Sequence, residues 1–218
     1  MKPTQQLPRL NHPSLEYEIK QGYPRLLIVG VDEVGRGCLA GPVVACAVVL
    51  PSQILWEQTP WLGEIKDSKL LSPESRERLS PLLTAWVRAF HIAQASVEEI
   101  DRLNIHYASH LAMERAVVGL ELPEIHHILV DGKFIPRNLP APASALIKGD
   151  QKSLSIACAS VIAKVWRDHH MVELDAKFPG YGLAKHKGYP TQMHQAALRQ
   201  RGITELHRRT FGPVAECI

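Results

Sequence analysis

Leu26-Leu27-Ile28-Val29-Gly30-Val31-Asp32-Glu33-Val34-Gly35-Arg36-Gly37 joins an apolar run to two consecutive acids and a glycine-bracketed arginine. Leu26 to Val29 predict a buried strand, and an ionised carboxylate at the end of such a strand is costly unless something compensates its charge. Asp32 and Glu33 therefore call for a cation. Gly35 and Gly37 lack a Cβ, which lets main-chain N–H groups approach a ligand around Arg36. Neither common phosphate-loop pattern fits. The next glycine, Gly41, comes one position too late for the dinucleotide fingerprint, and no Gly-Lys-Ser/Thr follows. Read alone, these residues also allow a glycine turn with solvent-facing acids.

Working outward, a second apolar run from Val43 to Leu50, closed by Pro51, predicts a strand antiparallel to the first. Ser72-Pro73-Glu74 supplies an N-cap, a proline at the first helical position and an early acid, starting a helix towards Leu83. Strand character returns from Trp86 to Ala95. Apolar spacing over residues 97–120 predicts one or two helices, broken near Asn104. Further strands are expected at Ile128–Val130 and Ala145–Ile147, a long helix from Ser153 to about Phe178, and a last helical segment from Pro190 to about Arg201. The sum is an α/β fold, a mixed sheet flanked by helices. Residues 1–24, polar and punctuated by Pro3, Pro8 and Pro13, are expected to form a flexible or loosely docked extension. The main domain is placed at 25–213 and a short tail at 214–218.

The chain has 218 residues, 45% hydrophobic and 22% charged, enough for one substantial core. A formal charge of +3 permits nucleic-acid binding without demanding it. The basic residues concentrate late: between Lys177 and Arg209 the only acid is Glu205. Cys38, Cys46, Cys158 and Cys217 are scattered, which suggests neither a zinc site nor a disulfide framework. No apolar run is long enough for a membrane span and no signal peptide is evident, so a cytoplasmic location is expected. His106, His110, His126, His127, His169, His170, His186, His194 and His207 show no clear ligand spacing, and most are expected at the surface.

Asp131, before Gly132, ends an apolar strand, and Asp150 precedes the long helix. Taken singly, the first fits a turn aspartate and the second a helix N-cap. Together with Asp32 and Glu33 they form a set of carboxylates at junctions of apolar elements. Convergence of four such groups requires divalent metal between them, and all-oxygen ligation suits Mg²⁺ or Mn²⁺. Two such ions can activate a water and stabilise a leaving oxygen in phosphodiester hydrolysis. Adjacent strand residues face opposite sides, so Asp32 and Glu33 are expected to share a site only if the strand breaks near Glu33. Ser160, Lys164 and Asp168 recur every four residues on one helix face, with Ser153 nearby; a solvated Lys164–Asp168 pair also fits. Gly180-Tyr181-Gly182 and His186-Lys187-Gly188-Tyr189-Pro190 mix aromatics, cations and glycines in a way that suits phosphate contact and stacking.

The stretches GVDEVGRGCLAGPVVACAVVL (30–50), KDSKLLS (66–72), ILVDGKFIP (128–136), KGDQKSLSIACASVIAKVWRD (148–168), FPGYGLAKHKGYPT (178–191) and HRRTFGP (207–213) closely resemble the ribonuclease HII family. The resemblance implies a ribonuclease H-like fold with a small helical C-terminal extension. It implies a Mg²⁺- or Mn²⁺-dependent endonuclease with two ions during catalysis. The enzyme would hydrolyse the RNA strand of RNA–DNA hybrids and nick duplex DNA 5′ of single ribonucleotides, leaving 3′-hydroxyl and 5′-phosphate ends. By motif, Asp32, Glu33, Asp131 and Asp150 would be the catalytic metal ligands. The Gly35-Arg36-Gly37 backbone would read the ribose 2′-OH, the group that separates RNA from DNA. Tyr189 would stack on the sugar at the RNA–DNA junction, with Ser153, Lys164 and Asp168 in support. The expected partners are RNA–DNA hybrids and ribonucleotide-containing duplexes, with no membrane and no obligate protein partner. The related ribonuclease HIII resembles a longer chain with an added N-terminal domain, and the short leader here favours HII. A junction-resolving nuclease and a non-catalytic hybrid-binding protein are the competing readings.

Overall fold

In the computed structural model, which describes residues 12–218, the two apolar runs flanking Gly35 form a hairpin. Strand β1 (Ile28–Val34) pairs antiparallel with β2 (Val43–Val49), from Val29 opposite Val49 to Val34 opposite Val44. All seven residues of β2 are buried. That explains its continuous apolar character, since a central strand covered on both faces has no solvent side to alternate with. Strand β3 (Ala89–Ala95) extends the sheet antiparallel beyond β2. On the other side β4 (His127–Asp131) and β5 (Ala143–Leu146) add in parallel, giving the order β3-β2-β1-β4-β5.

Helix α1 (Glu16–Lys20) precedes the sheet, and α2 (Pro73–Trp86) follows β2. Ser72 caps α2 as predicted, its Oγ accepting from the Ser75 N–H. The helix runs three residues past Leu83, so β3 starts at Ala89 rather than Trp86. Helix α3 (Val97–Val118) opens with a Ser96/Glu99 capping box and breaks at Asn104, where φ is 64°. It covers one sheet face, with Ile100, Ala112 and Val117 in the core against Val29 and Ala45. The opposite face is covered by α2 and by α4 (Leu154–Lys177). Gly30 determines how closely α4 can approach: a Cβ there would lie 2.4 Å from Ser155 Oγ. The start of α4 thus lies directly against β1, and the turn before it lies against the end of β4.

Helices α5 (Leu183–His186), α6 (Gln192–Arg201) and α7 (Gly212–Ala215) gather at the far end of α4 around Leu39, Met171 and Leu198. Val214, placed at the start of a tail, is fully buried in this cluster.

Of the two expectations for the N-terminal segment, a flexible or a docked extension, residues from 12 onward are docked; residues 1–11 lie outside the described residues. The Ser14 N–H donates to the Lys152 carbonyl and the Leu154 N–H donates back to Ser14. Glu18 of α1 is 1% exposed. Its Oε1 accepts from Ser153 Oγ (2.6 Å), Ser155 N–H (2.9 Å) and Ser155 Oγ (2.7 Å). A carboxylate at the N-terminus of a long helix meets its free N–H groups and favourable dipole end. Leu15, Tyr17 and Tyr23 add apolar contacts to this polar anchor.

Candidate active site

Pairing between β1 and β4 ends at Val31 opposite Val130, which leaves the strand ends beyond them open towards each other. Asp32, Glu33 and Asp131 stand there, and one carboxylate oxygen from each lies within 4.8 Å of the others. The expected strand break at Glu33 does not occur, because pairing with β2 continues through Glu33 and Val34. Instead the Asp32 Oδ1 accepts from the Glu33 N–H at 2.7 Å, and the oxygens of the two neighbouring acids still lie close together. Asp150 stands outside this trio on a 3₁₀ turn, Gly149–Gln151. It does not cap α4, a role taken by Ser153, whose Oγ accepts from the Ile156 N–H. The turn is joined to the trio because the Gly149 N–H donates to Asp131 Oδ1 at 2.6 Å.

The electrostatics are those of acids only partly compensated by Arg36 and Lys69. Burial raises the Asp32 carboxyl well above its usual range, and the charges of Glu33 and Asp131 push it further; the Ser160 hydroxyl works the other way. Burial likewise pushes Glu33 up to about 7, against Arg36, whose guanidinium reaches Glu33 Oε1 at 3.2 Å. Glu33 Oε2 is buried without a hydrogen-bond partner. Asp150 rises to about 6 through burial and its neighbours Asp67 and Asp131. Buried oxygens that repel one another, with one left unpaired, form a donor set that fits a hard divalent cation.

The cleft over these acids is lined by Asp32, Glu33, the Gly35-Arg36-Gly37 loop, Lys69, Lys164 and Tyr189. Lys164 Nζ lies 5.7 Å from the centre of the Tyr189 ring and donates to Asp168 Oδ1 at 2.7 Å. The Lys164–Asp168 pair, for which a solvated face is the alternative reading, is largely covered and stands beside the aromatic. A second groove, lined by Arg76, Lys185 and Lys187, meets the first at Lys164 and Tyr189. Ser153 does not reach the cleft; it holds Glu18 and the start of α4. Tyr181 is 6% exposed with its hydroxyl on the Gly202 carbonyl, so of the two tyrosines suited to stacking only Tyr189 is available.

Sequence reasoning gave no role to Asp67 and Lys69, although both lie in a charged run between apolar segments. Lys69 is opposed by its own burial but held above its usual range by Asp32, Asp67 and Asp150. Asp67 accepts from the Lys69 N–H and from Gln151 Nε2, linking this loop to the turn of Asp150. The expectation of surface histidines fails for three. His186, His194 and His207 are buried, with His194 Nε2 and His207 Nε2 3.2 Å apart. They join α5, α6 and the final segment through hydrogen bonds and ring contacts that need no ligand spacing.

A mixed sheet of this order, with acids gathered where β1 and β4 end, defines a ribonuclease H-type nuclease. The ribonuclease HII family model matches residues 29–214, and the chain belongs to the ribonuclease HII family. Ribonuclease HII of Ruegeria pomeroyi is 53% identical over 194 residues, covering 89% of this chain and 79% of that protein. The enzyme of a Marinomonas species is 49% identical over 193 residues, covering 88% and 93%. The crystal structure of ribonuclease H2 from Pyrococcus horikoshii is similar with a TM-score of 0.73 at 26% identity, covering 88% of this chain and 97% of that one. Bst-RNase HIII in complex with Mn²⁺ shares the fold at 21% identity and a TM-score of 0.67. The protein is thus a ribonuclease H that hydrolyses the RNA strand of RNA–DNA hybrids.

Proposed function

We propose that the protein nicks duplex DNA on the 5′ side of embedded single ribonucleotides, as well as cutting longer hybrids, and that Asp32, Glu33, Asp131 and Asp150 hold the Mg²⁺ or Mn²⁺ ions it needs. The observation carrying this reading is the convergent Asp32–Glu33–Asp131 trio, with Asp32 buried and one Glu33 oxygen buried and unpartnered. When bound, the ions would supply an activated water and charge stabilisation at the leaving oxygen. The chain's own groups do the recognition. The Arg36 and Gly37 N–H groups face the ribose 2′-OH, while Tyr189, steadied by Lys164, stacks on the junction sugar. Lys185 and Lys187 in the adjoining groove contact the phosphates beyond the cut.

This activity fits removal of misincorporated ribonucleotides in the cytoplasm, without an obligate protein partner. Among the described residues no helix is long and apolar enough to cross a membrane. The test is cleavage of a duplex with one internal ribonucleotide beside an all-DNA control, with Mg²⁺, with Mn²⁺ and with chelator. A metal-dependent nick 5′ of the ribonucleotide alone is expected, leaving 3′-hydroxyl and 5′-phosphate ends. Cutting of both duplexes would sink the ribonucleotide reading, and binding without cutting would favour a non-catalytic hybrid binder.

A further inference from the structure

Beneath the Gly35-Arg36-Gly37 loop lie two arginines with no exposure, Arg167 of α4 and Arg208. Among the described residues neither forms an ion pair; every donor contact goes to a backbone carbonyl. Arg208 donates from Nη2 to Gly35 (2.8 Å), from Nη1 to Arg36 (2.9 Å), and from Nε and Nη2 to Gly41 (3.0 and 2.8 Å). Arg167 donates to the carbonyls of Ala40 (3.1 Å), Pro42 (3.0 Å) and Lys187 (2.9 Å). The loop rests on this pair without spare room, since a Cβ on Gly35 would lie 2.2 Å from Arg167 Nε.

Two buried cations held by backbone carbonyls and no ion pair are an expensive way to support a loop if packing were the only requirement. Their consequence appears in the peptide planes. In a trans peptide the carbonyl and the following N–H point in opposite directions, and both peptides here are trans. Turning the Gly35 and Arg36 carbonyls inward onto Arg208 therefore turns the Arg36 and Gly37 N–H groups outward. Among the described residues neither N–H donates a hydrogen bond. Arg167 extends the same support to the Lys187 carbonyl, two residues before Tyr189.

We propose that Arg208, assisted by Arg167, is a positioning residue for ribose recognition: its guanidinium holds the loop carbonyls so that two main-chain donors are preset towards the substrate. The inference rests on the proposed ribose-reading role of the loop. A lysine keeps the charge but cannot span the carbonyls of Gly35, Arg36 and Gly41 together. In a D150N parent, binding of a single-ribonucleotide duplex is measured against the all-DNA duplex of the same sequence. R208K is expected to lower the preference for the ribonucleotide by about tenfold, the worth of one or two hydrogen bonds, with all-DNA binding unchanged. R167K, which loses the forked contacts to Ala40, Pro42 and Lys187, is expected to act alike and serves if R208K fails to fold. Equal weakening towards both duplexes, or an intact preference in a folded variant, overturns the proposal. Absence of any preference in the D150N parent instead overturns the ribose-reading role of the loop, and the inference with it.

Discussion

The Gly149 N–H donates to Asp131 Oδ1 at 2.6 Å, so a carboxylate at the end of β4 holds in place the turn that carries Asp150. Asp131 thus has two duties, one towards the cleft and one towards the fold, and substitutions can separate them. Asn at 131 retains an oxygen to accept from Gly149 while losing the charge. D131N is expected to keep its urea midpoint near that of the native protein and to lose hybrid cleavage by more than the roughly 10–100-fold that an outer-shell partner is worth. D131A loses the acceptor too and should cost a further ~1–3 kcal/mol in unfolding free energy. A D131A protein as stable as D131N would show that the bond to Gly149 contributes nothing.

The raised carboxyls of Asp32 and Glu33 make a prediction about pH and metal together. Glu33 moves from an ordinary value of 4.5 to about 7 in the folded state, which therefore binds more protons than the unfolded chain between those limits. Metal-free protein should lose stability as pH rises through this window, and E33Q should show a flatter profile than the native protein in chelator. Mg²⁺ or Mn²⁺ near neutral pH should restore stability, by ~2.7 kcal/mol at a hundred times the dissociation constant. D32N, relieved of one repelling charge, should melt higher than the native protein in chelator and gain little from metal. Equal stabilisation of both proteins by the ion would disprove ligation by Asp32.

The buried histidines form a directional chain. The Thr204 N–H donates to His207 Nδ1, so the proton of His207 sits on Nε2 and is given to His194 Nε2. His194 then donates from Nδ1 to the Tyr189 carbonyl, three links from Thr204 to the aromatic of the cleft. Burial, and then His194, lower the His207 pKa from 6.5 to about 4. Because the folded value is depressed, this group's contribution to stability is complete above 6.5 and falls away as pH drops towards 4. Imidazole ¹⁵N spectra at pH 5 should show His207 neutral and protonated on Nε2. A cationic ring at that pH would contradict the chain.

Glu18 joins α1 to the first turn of α4 through a single oxygen that accepts three hydrogen bonds. E18A leaves two buried hydroxyls and the Ser155 N–H without that partner, and should cost ~1–3 kcal/mol in denaturant unfolding. E18Q, which retains an acceptor, should cost less. No change in E18A would mean that the segment around α1 can leave without consequence for the helix it contacts.

Much of this molecule is legible in its amino-acid order. Val43–Leu50 reads as a buried strand, Ser72-Pro73-Glu74 as a helix start and Asn104 as a break, because hydrophobic period, capping and backbone preference act within a few residues. Asp32, Glu33, Asp131 and Asp150 stand out because charge at the end of an apolar run needs an explanation, and the surrounding motifs point to the ribonuclease HII family. Tertiary structure alone decided how those acids meet. Glu33 joins Asp32 without a break in the strand because the pairing of β4 with β1 stops at Val130, a fact of the neighbouring strand. Glu18 binds a helix 135 residues away and Arg208 a loop 173 residues away. Such partnerships depend on where the folded chain brings a buried charge, and no pattern of neighbouring residues encodes that position.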